Sequence, residues 1–196
     1  MSVAPAIPRR VFVFSGHLVD EERRATPRFP NDEASVGRVR RALDDLLEAL
    51  DAGPDDLALT QGACGGDLLF SALCIDREVS VRWLQPDDEE AFVANSVARG
   101  GMRWLKLYAA VRETLERPPL AMQAALGRPI DEDSNPYARC NRWLLDTACA
   151  YGGDKLQFIA LWDFGPADGP GGTAGMIAEA MQRTDRVMLV DVRSTQ

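Results

Sequence analysis

Short apolar runs alternate with helical stretches along the whole chain. "RVFVF" (10–14), "LALT" (57–60), "VSVRWLQP" (79–86), "LQFIALWD" (156–163) and "RVMLVDV" (186–192) are rich in β-branched and aromatic residues and read as strands. Between them, residues 33–53 carry Val36, Val39, Leu43, Leu46, Leu47 and Leu50 at helical spacing, with Gly53 as a stop signal. Further helices are expected over 67–77, 88–98, 102–117 and 137–151, and again after residue 173. Strand–helix alternation implies parallel pairing, so the expected fold is α/β, a Rossmann-like doubly wound, mainly parallel sheet of about five strands flanked by helices. No linker or internal repeat divides residues 1–196, and a chain of 196 residues suits a single domain. The stretch 117–136, "RPPLAMQAALGRPIDEDSNP", is rich in proline and charge and is expected to be a loop or lid, or else a plain surface excursion.

The composition excludes several functions. A formal charge of -8 argues against non-specific binding to nucleic acid or to anionic membranes. No apolar run is long enough to cross a bilayer, and the N-terminal stretch lacks the pattern of a secretory signal, so a cytoplasmic location is expected. The four cysteines (Cys64, Cys74, Cys140, Cys149) form no CxxC pair and His17 is the only histidine, which disfavours a structural zinc site. No metal and no cofactor are expected, and the thiols are expected to be reduced.

In doubly wound sheets, ligands bind beyond the carboxyl ends of the strands. Three loops leave such ends: "SGH" (15–17), "QGACGGD" (61–67) and "DFGPADGPGGT" (163–173). The last two are glycine-rich and each opens a helix, whose unpaired first amides favour an anion. Turn punctuation is the alternative reading of both. Neither has the GxGxxG spacing, and no GxxxxGK[ST] occurs, so a P-loop kinase or ATPase is disfavoured. Gly62, Gly65, Gly66, Gly171, Gly172 and Thr173 are the candidate phosphate donors, with Ser15, Gly16, His17 and Arg28 completing the pocket. His17 is either an acid–base or phosphate contact or a loop histidine bonded to local backbone. Arg28 can grip phosphate with its guanidinium fork, whereas Asp20, Arg23 and Arg24 read as less favoured loop charges. Asp67 is either a ribose or catalytic carboxylate or a cap of its own helix, and Asp163 and Asp168, which flank the second turn, are candidate contacts to ribose or to a metal. Trp83, Trp162 and Phe164 either stack on a base or belong to the core.

The succession "FSG…GACGGDLLFSALC…GPGGTAGMI" resembles the SLOG superfamily, the Rossmann-like group containing the LOG phosphoribohydrolases and the Smf/DprA proteins. The resemblance runs from Val11 to about Val190. It implies a nucleotide or nucleotide-derived ligand held by the first loop and the two glycine turns. It also implies two activities. One is ligand sensing, relayed to a separate effector protein or to another copy of the chain. The other is release of the base from a nucleoside phosphate, with a carboxylate at the ribosyl centre. The LOG pattern has a glutamate three residues after its threonine, and aligning that threonine with Thr173 puts Met176 in its place. Glu179, on the same helix, and Asp67 are the catalytic candidates if the protein is an enzyme. A homo-oligomer is expected because homodimers are common for this fold. A structural interaction module with a vestigial pocket is the remaining alternative.

Overall fold

The computed structural model describes residues 7–21, 25–127, 135–166, 169 and 171–193. Six strands follow one another as β1 (Val11–Gly16), β2 (Leu57–Thr60), β3 (Ser80–Gln85), β4 (Leu120–Ala121), β5 (Leu156–Trp162) and β6 (Val187–Asp191). They form one sheet in the order β4-β3-β2-β1-β5-β6, and every pairing is parallel. The helices are α1 (Glu33–Ala49), α2 (Gly66–Asp76), α3 (Glu89–Phe92), α4 (Met102–Thr114), α5 (Met122–Leu126), α6 (Pro136–Cys149) and α7 (Thr173–Met181). The expected α/β architecture is therefore present, with one strand more than expected.

Alternation along β1 shows how the sheet is sandwiched. Phe12 and Phe14 join a core built with α1, α2 and α4, while Val11 and Val13 join a second core built with α6 and α7. Successive side chains of a strand point to opposite faces, so the continuous apolar run feeds both cores. Each fully buried Phe, Leu or Val contributes roughly 1.5–3 kcal/mol. Both faces being covered, a ligand can approach the sheet only at an end.

The chain selects which end. It steps outward from β1 through β2 and β3 to β4, then crosses back to place β5 on the other side of β1. This crossover parts the connections between the carboxyl ends of β1 and β5, which leaves a crevice there. The amino ends are tied down instead, because buried Asp56 accepts from both Arg9 and Arg10. Burial pushes the Asp56 carboxyl up, but the two guanidinium groups prevail and hold it below the ordinary carboxylate range.

Two stretches depart from expectation. Residues 88–98 are not one helix: α3 opens into a wide π-type turn over Val93–Val97, then a tight 3-10 turn over Ala98–Gly100. The wide turn releases the Ser96 carbonyl, which accepts from the Cys64 amide at 2.9 Å. Within 117–136, Leu120–Ala121 pairs with Leu84–Gln85 as β4, and buried Met122 begins α5, so this part of the expected loop is a docked sheet edge. Residues 128–134 of that stretch lie outside the described residues.

Candidate functional site

A cleft of about 220 Å³ opens at the β1–β5 crossover. The ends of the two strands supply Ser15, Gly16, His17 and Trp162. Arg28 comes from the loop after β1, and Gln61, Ala63 and Asp67 from the first glycine turn. Gly171, Gly172, Thr173 and Ala174 come from the second turn and the start of α7.

Helix starts divide into capped and uncapped ones, and α4 and α5 share the uncapped kind with the two helices that open after the glycine turns. Asp32, Asp88 and Asn135 cap α1, α3 and α6 by accepting from Ser35, Ala91 and Ala138 amides at 2.8, 2.9 and 3.0 Å. By contrast, α2 begins after Gly65 and α7 after Gly172, and neither start has a side-chain cap among the described residues. Uncapped first amides keep their partial positive charge available to another acceptor.

The first turn has filled its own concavity. The Asp67 carboxylate reaches back and accepts from the amides of Gln61 and Ala63 at 3.3 and 3.4 Å. Asp67 therefore does not cap α2, as one sequence reading had it; it sits in the first turn of that helix and closes the loop that precedes it. Gly66 donates to the His17 carbonyl at 3.1 Å, and Cys64 donates to Ser96. The glycines serve this packing. A Cβ on Gly62 would lie 2.7 Å from the Trp83 ring, and one on Gly65 would lie 2.6 Å from the His17 carbonyl oxygen. Both residues have positive φ, 86° and 110°, which favours glycine. Gly62, Gly65 and Gly66 are thus absent from the cleft lining, while Asp67 faces it.

Burial pushes the Asp67 carboxyl up to about 6, and the surrounding amides offset this only in part. The group is 6% exposed. A carboxyl in this state exchanges a proton close to neutral pH, which suits acid–base work beside a bound ligand.

His17 binds the ends of β1 and β5 together. Its Nε2 lies 3.0 Å from an Asp163 carboxylate oxygen and 3.1 Å from the Asp163 amide nitrogen. Burial raises the Asp163 carboxyl, but the Gly165 amide, His17 and the positive charge of Arg28 outweigh it and hold it below the ordinary range. Trp162 lines the cleft, and its ring packs on that of half-exposed Phe164, which lies outside the lining, at 5.1 Å between centroids. Phe164 has a φ of 56°, a backbone region that bulky residues seldom adopt. Trp83 is core: it packs on Tyr108 and its indole donates to Ser71 at 3.0 Å.

Glu179 stands apart from the cleft. It pairs with Arg142 and Arg183 on the flank of α7, two turns beyond Thr173 in the helix, and so is no candidate for chemistry there. Met176, at the aligned glutamate position, is buried in the α6–α7 core. Asp168, Arg23 and Arg24 lie outside the described residues. Asp20 accepts from the amides of Arg28 and Phe29 at 2.7 and 2.9 Å, and so fixes the backbone that carries Arg28.

Sequence reasoning missed the wall formed by α6 and the wide turn. Tyr137 and Asn141 line the cleft from α6, one helical turn apart, and the Ser96 hydroxyl meets the Tyr137 hydroxyl at 3.1 Å. Asn141 accepts from the Gln61 side chain at 2.8 Å and donates to the Gly171 carbonyl at 2.9 Å, joining the two glycine turns. The signal was available in "NPYARCN", a capped helix start. Among the described residues, no group of His, Cys, Asp and Glu gathers to hold a metal, and no helix is long and apolar enough to cross a membrane. No protein-family model matches the chain, and no curated protein matches it.

Proposed function

We propose that this protein binds a phosphorylated nucleotide or nucleotide-derived small molecule in the β1–β5 cleft and acts as a ligand-sensing domain. The observation that carries this reading is the uncapped start of α7 facing the same cleft as Arg28, at the crossover of a doubly wound sheet. Phosphate sits against the amides of Thr173 and Ala174, with the guanidinium of Arg28 as its charged partner. Trp162, with Phe164 packed against it, offers a face for a base. The resemblance to the SLOG superfamily supports the same class of ligand.

The test is titration with nucleoside 5'-monophosphates, ADP-ribose and the matching phosphate-free nucleosides, read by thermal unfolding and by chromatography of each mixture. A phosphorylated ligand at a hundred times its dissociation constant stabilises by about 2.7 kcal/mol. Stabilisation by the phosphorylated members alone, with the ligand recovered intact, is the expected outcome. No stabilisation by any of them overturns the proposal.

One observation favours a second reading, cleavage of the glycosidic bond. Asp67 is a buried cleft carboxyl whose ordinary acidity has been shifted toward neutrality by burial. On this reading it protonates a leaving base or stabilises an oxocarbenium-like ribosyl centre. Free base in the chromatogram, lost in Asp67→Asn, would select this reading.

A further inference from the structure

Gln85 is the last residue of β3, 1% exposed and outside the lining of the cleft. Methionine would fill the same space without burying an amide. The Gln85 Oε1 meets no partner among the described residues, which adds to the cost. Its Nε2 is the group in use: it donates to the Gln61 carbonyl at 3.1 Å and to the Tyr108 hydroxyl at 3.3 Å. These partners fix which way the amide points, because the Gln61 carbonyl can only accept. Burial raises the Tyr108 hydroxyl, which keeps its single proton and donates it to Glu89 at 3.0 Å, leaving its lone pairs to Gln85. Arg112 donates to the same Glu89 oxygen at 2.9 Å. Gln61 is therefore gripped at three points. Its amide donates to Asp67, its carbonyl accepts from Gln85, and its side chain donates to Asn141. Asn141 carries the chain of bonds on to the Gly171 carbonyl, one residue before the N-cap of α7.

We propose that Gln85 is a positioning residue of the cleft: through the Gln61 carbonyl it aims the Gln61 side chain at Asn141, and so sets the gap between the first glycine turn and the start of α7. Asp67 holds the peptide that precedes Gln61. The peptide that follows enters Gly62, which has a φ of 86° and no side chain to restrict it. Only a bond to the carbonyl fixes that peptide, and Gln85 supplies it. The gap matters to the ligand reading proposed above, on which the functional part of this inference rests. Arg28 belongs to the loop that is bridged to the first turn at Leu18 and Gly65, whereas Thr173 and Ala174 begin α7. A phosphate held by both sides spans the gap that Gln85 sets.

Hydrogen exchange followed by NMR on the full chain without ligand tests the spacing. Gln85→Met keeps the volume and removes both donors, whereas Tyr108→Phe removes the far end of the chain of bonds and leaves the Gln61 contact. The probes are the Asn141 side-chain N–H groups and the Met176 amide, which donates to Gly172 in the first turn of α7. In Gln85→Met they are expected to exchange about tenfold faster relative to amides of the β1–β5 ladder, the effect of one lost hydrogen bond. Tyr108→Phe is expected to leave that ratio unchanged. Calorimetry with AMP and ADP-ribose on the same proteins is expected to show about tenfold weaker binding in Gln85→Met alone. If Gln85→Met proves unfolded by circular dichroism, Gln85→Leu replaces it. An unchanged exchange ratio, or faster exchange spread evenly over the ladder, overturns the proposal and leaves the cleft reading standing. So does a changed ratio with unchanged affinity. A wild type that binds neither nucleotide overturns the cleft reading and the positioning role together.

Discussion

The two glycine turns look alike in sequence and behave differently in the structure. Each leaves a strand's carboxyl end, and each opens a helix without a side-chain cap. In the first, Asp67 supplies an anion from the chain itself, and the missing Cβ atoms make room for Trp83 and the His17 carbonyl. In the second, Gly171 is pressed against α6, but Gly172, Thr173 and Ala174 face the cleft. A glycine-rich helix entry therefore serves close packing in one case and leaves its first amides facing a cleft in the other. What distinguishes the two is whether a carboxylate of the same chain has already claimed the amides.

Substitutions separate the two cases. The largest effect is expected from Gly65→Ala, whose new Cβ would lie 2.6 Å from backbone at a left-handed φ. It should cost more than about 3 kcal/mol in denaturant unfolding. Gly169→Ala, also at positive φ but with open space around it, should cost only about 1 kcal/mol.

Asp67→Asn tests the internal anion. Because the folded state holds the Asp67 proton up to about pH 6, the wild type binds more protons folded than unfolded between pH 4 and 6. Its contribution to stability is fully present below pH 4 and is lost as pH rises through 6, a fall of about 3 kcal/mol. Urea midpoints measured across that window should show this component in the wild type and lose it in the variant.

Asn141→Ala cuts the tie between the turns and leaves the Gln61 amide and the Gly171 carbonyl unmatched. A cost of about 2 kcal/mol is expected, with added hydrogen exchange at the start of α7. Arg28→Ala should weaken a phosphorylated ligand about tenfold in calorimetry while changing the urea midpoint less than Asn141→Ala does. The smallest stability change belongs to Phe164→Gly, where relief of the left-handed backbone offsets the lost contact with Trp162 to within about 0.5 kcal/mol. Its effect should appear instead as reduced discrimination between nucleotides with different bases.

The strands that carry the cleft were legible because each is an apolar run long enough to cross the sheet, as in Val11–Phe14 and Phe158–Leu161. β4 was not, since Leu120–Ala121 gains its strand character only from Leu84–Gln85 beside it. The break after Phe92 was hidden for the same reason, as Ser96 turns its carbonyl to Cys64 across the fold. At the cleft, the loops were visible and the partners were not. That Gly62 faces Trp83, or that His17 is held by Asp163, depends on which strands lie side by side. Helical spacing placed Glu179 on roughly the face of Met176, but Met176 turns into the core and Glu179 is drawn to two arginines.

The close approach of Gly65 to the His17 carbonyl has a mechanical consequence. With the isolated bridge between Leu18 and Gly65 and the bond from Gly66 to His17, the loop after β1 and the entry to α2 form a single rigid jaw. On the facing side, Gly171 is tied to that body through Asn141, and Asp163 through the clasp of His17. A single missing methyl group thus does the work of a cross-link, fixing one wall of the cleft without a covalent bond.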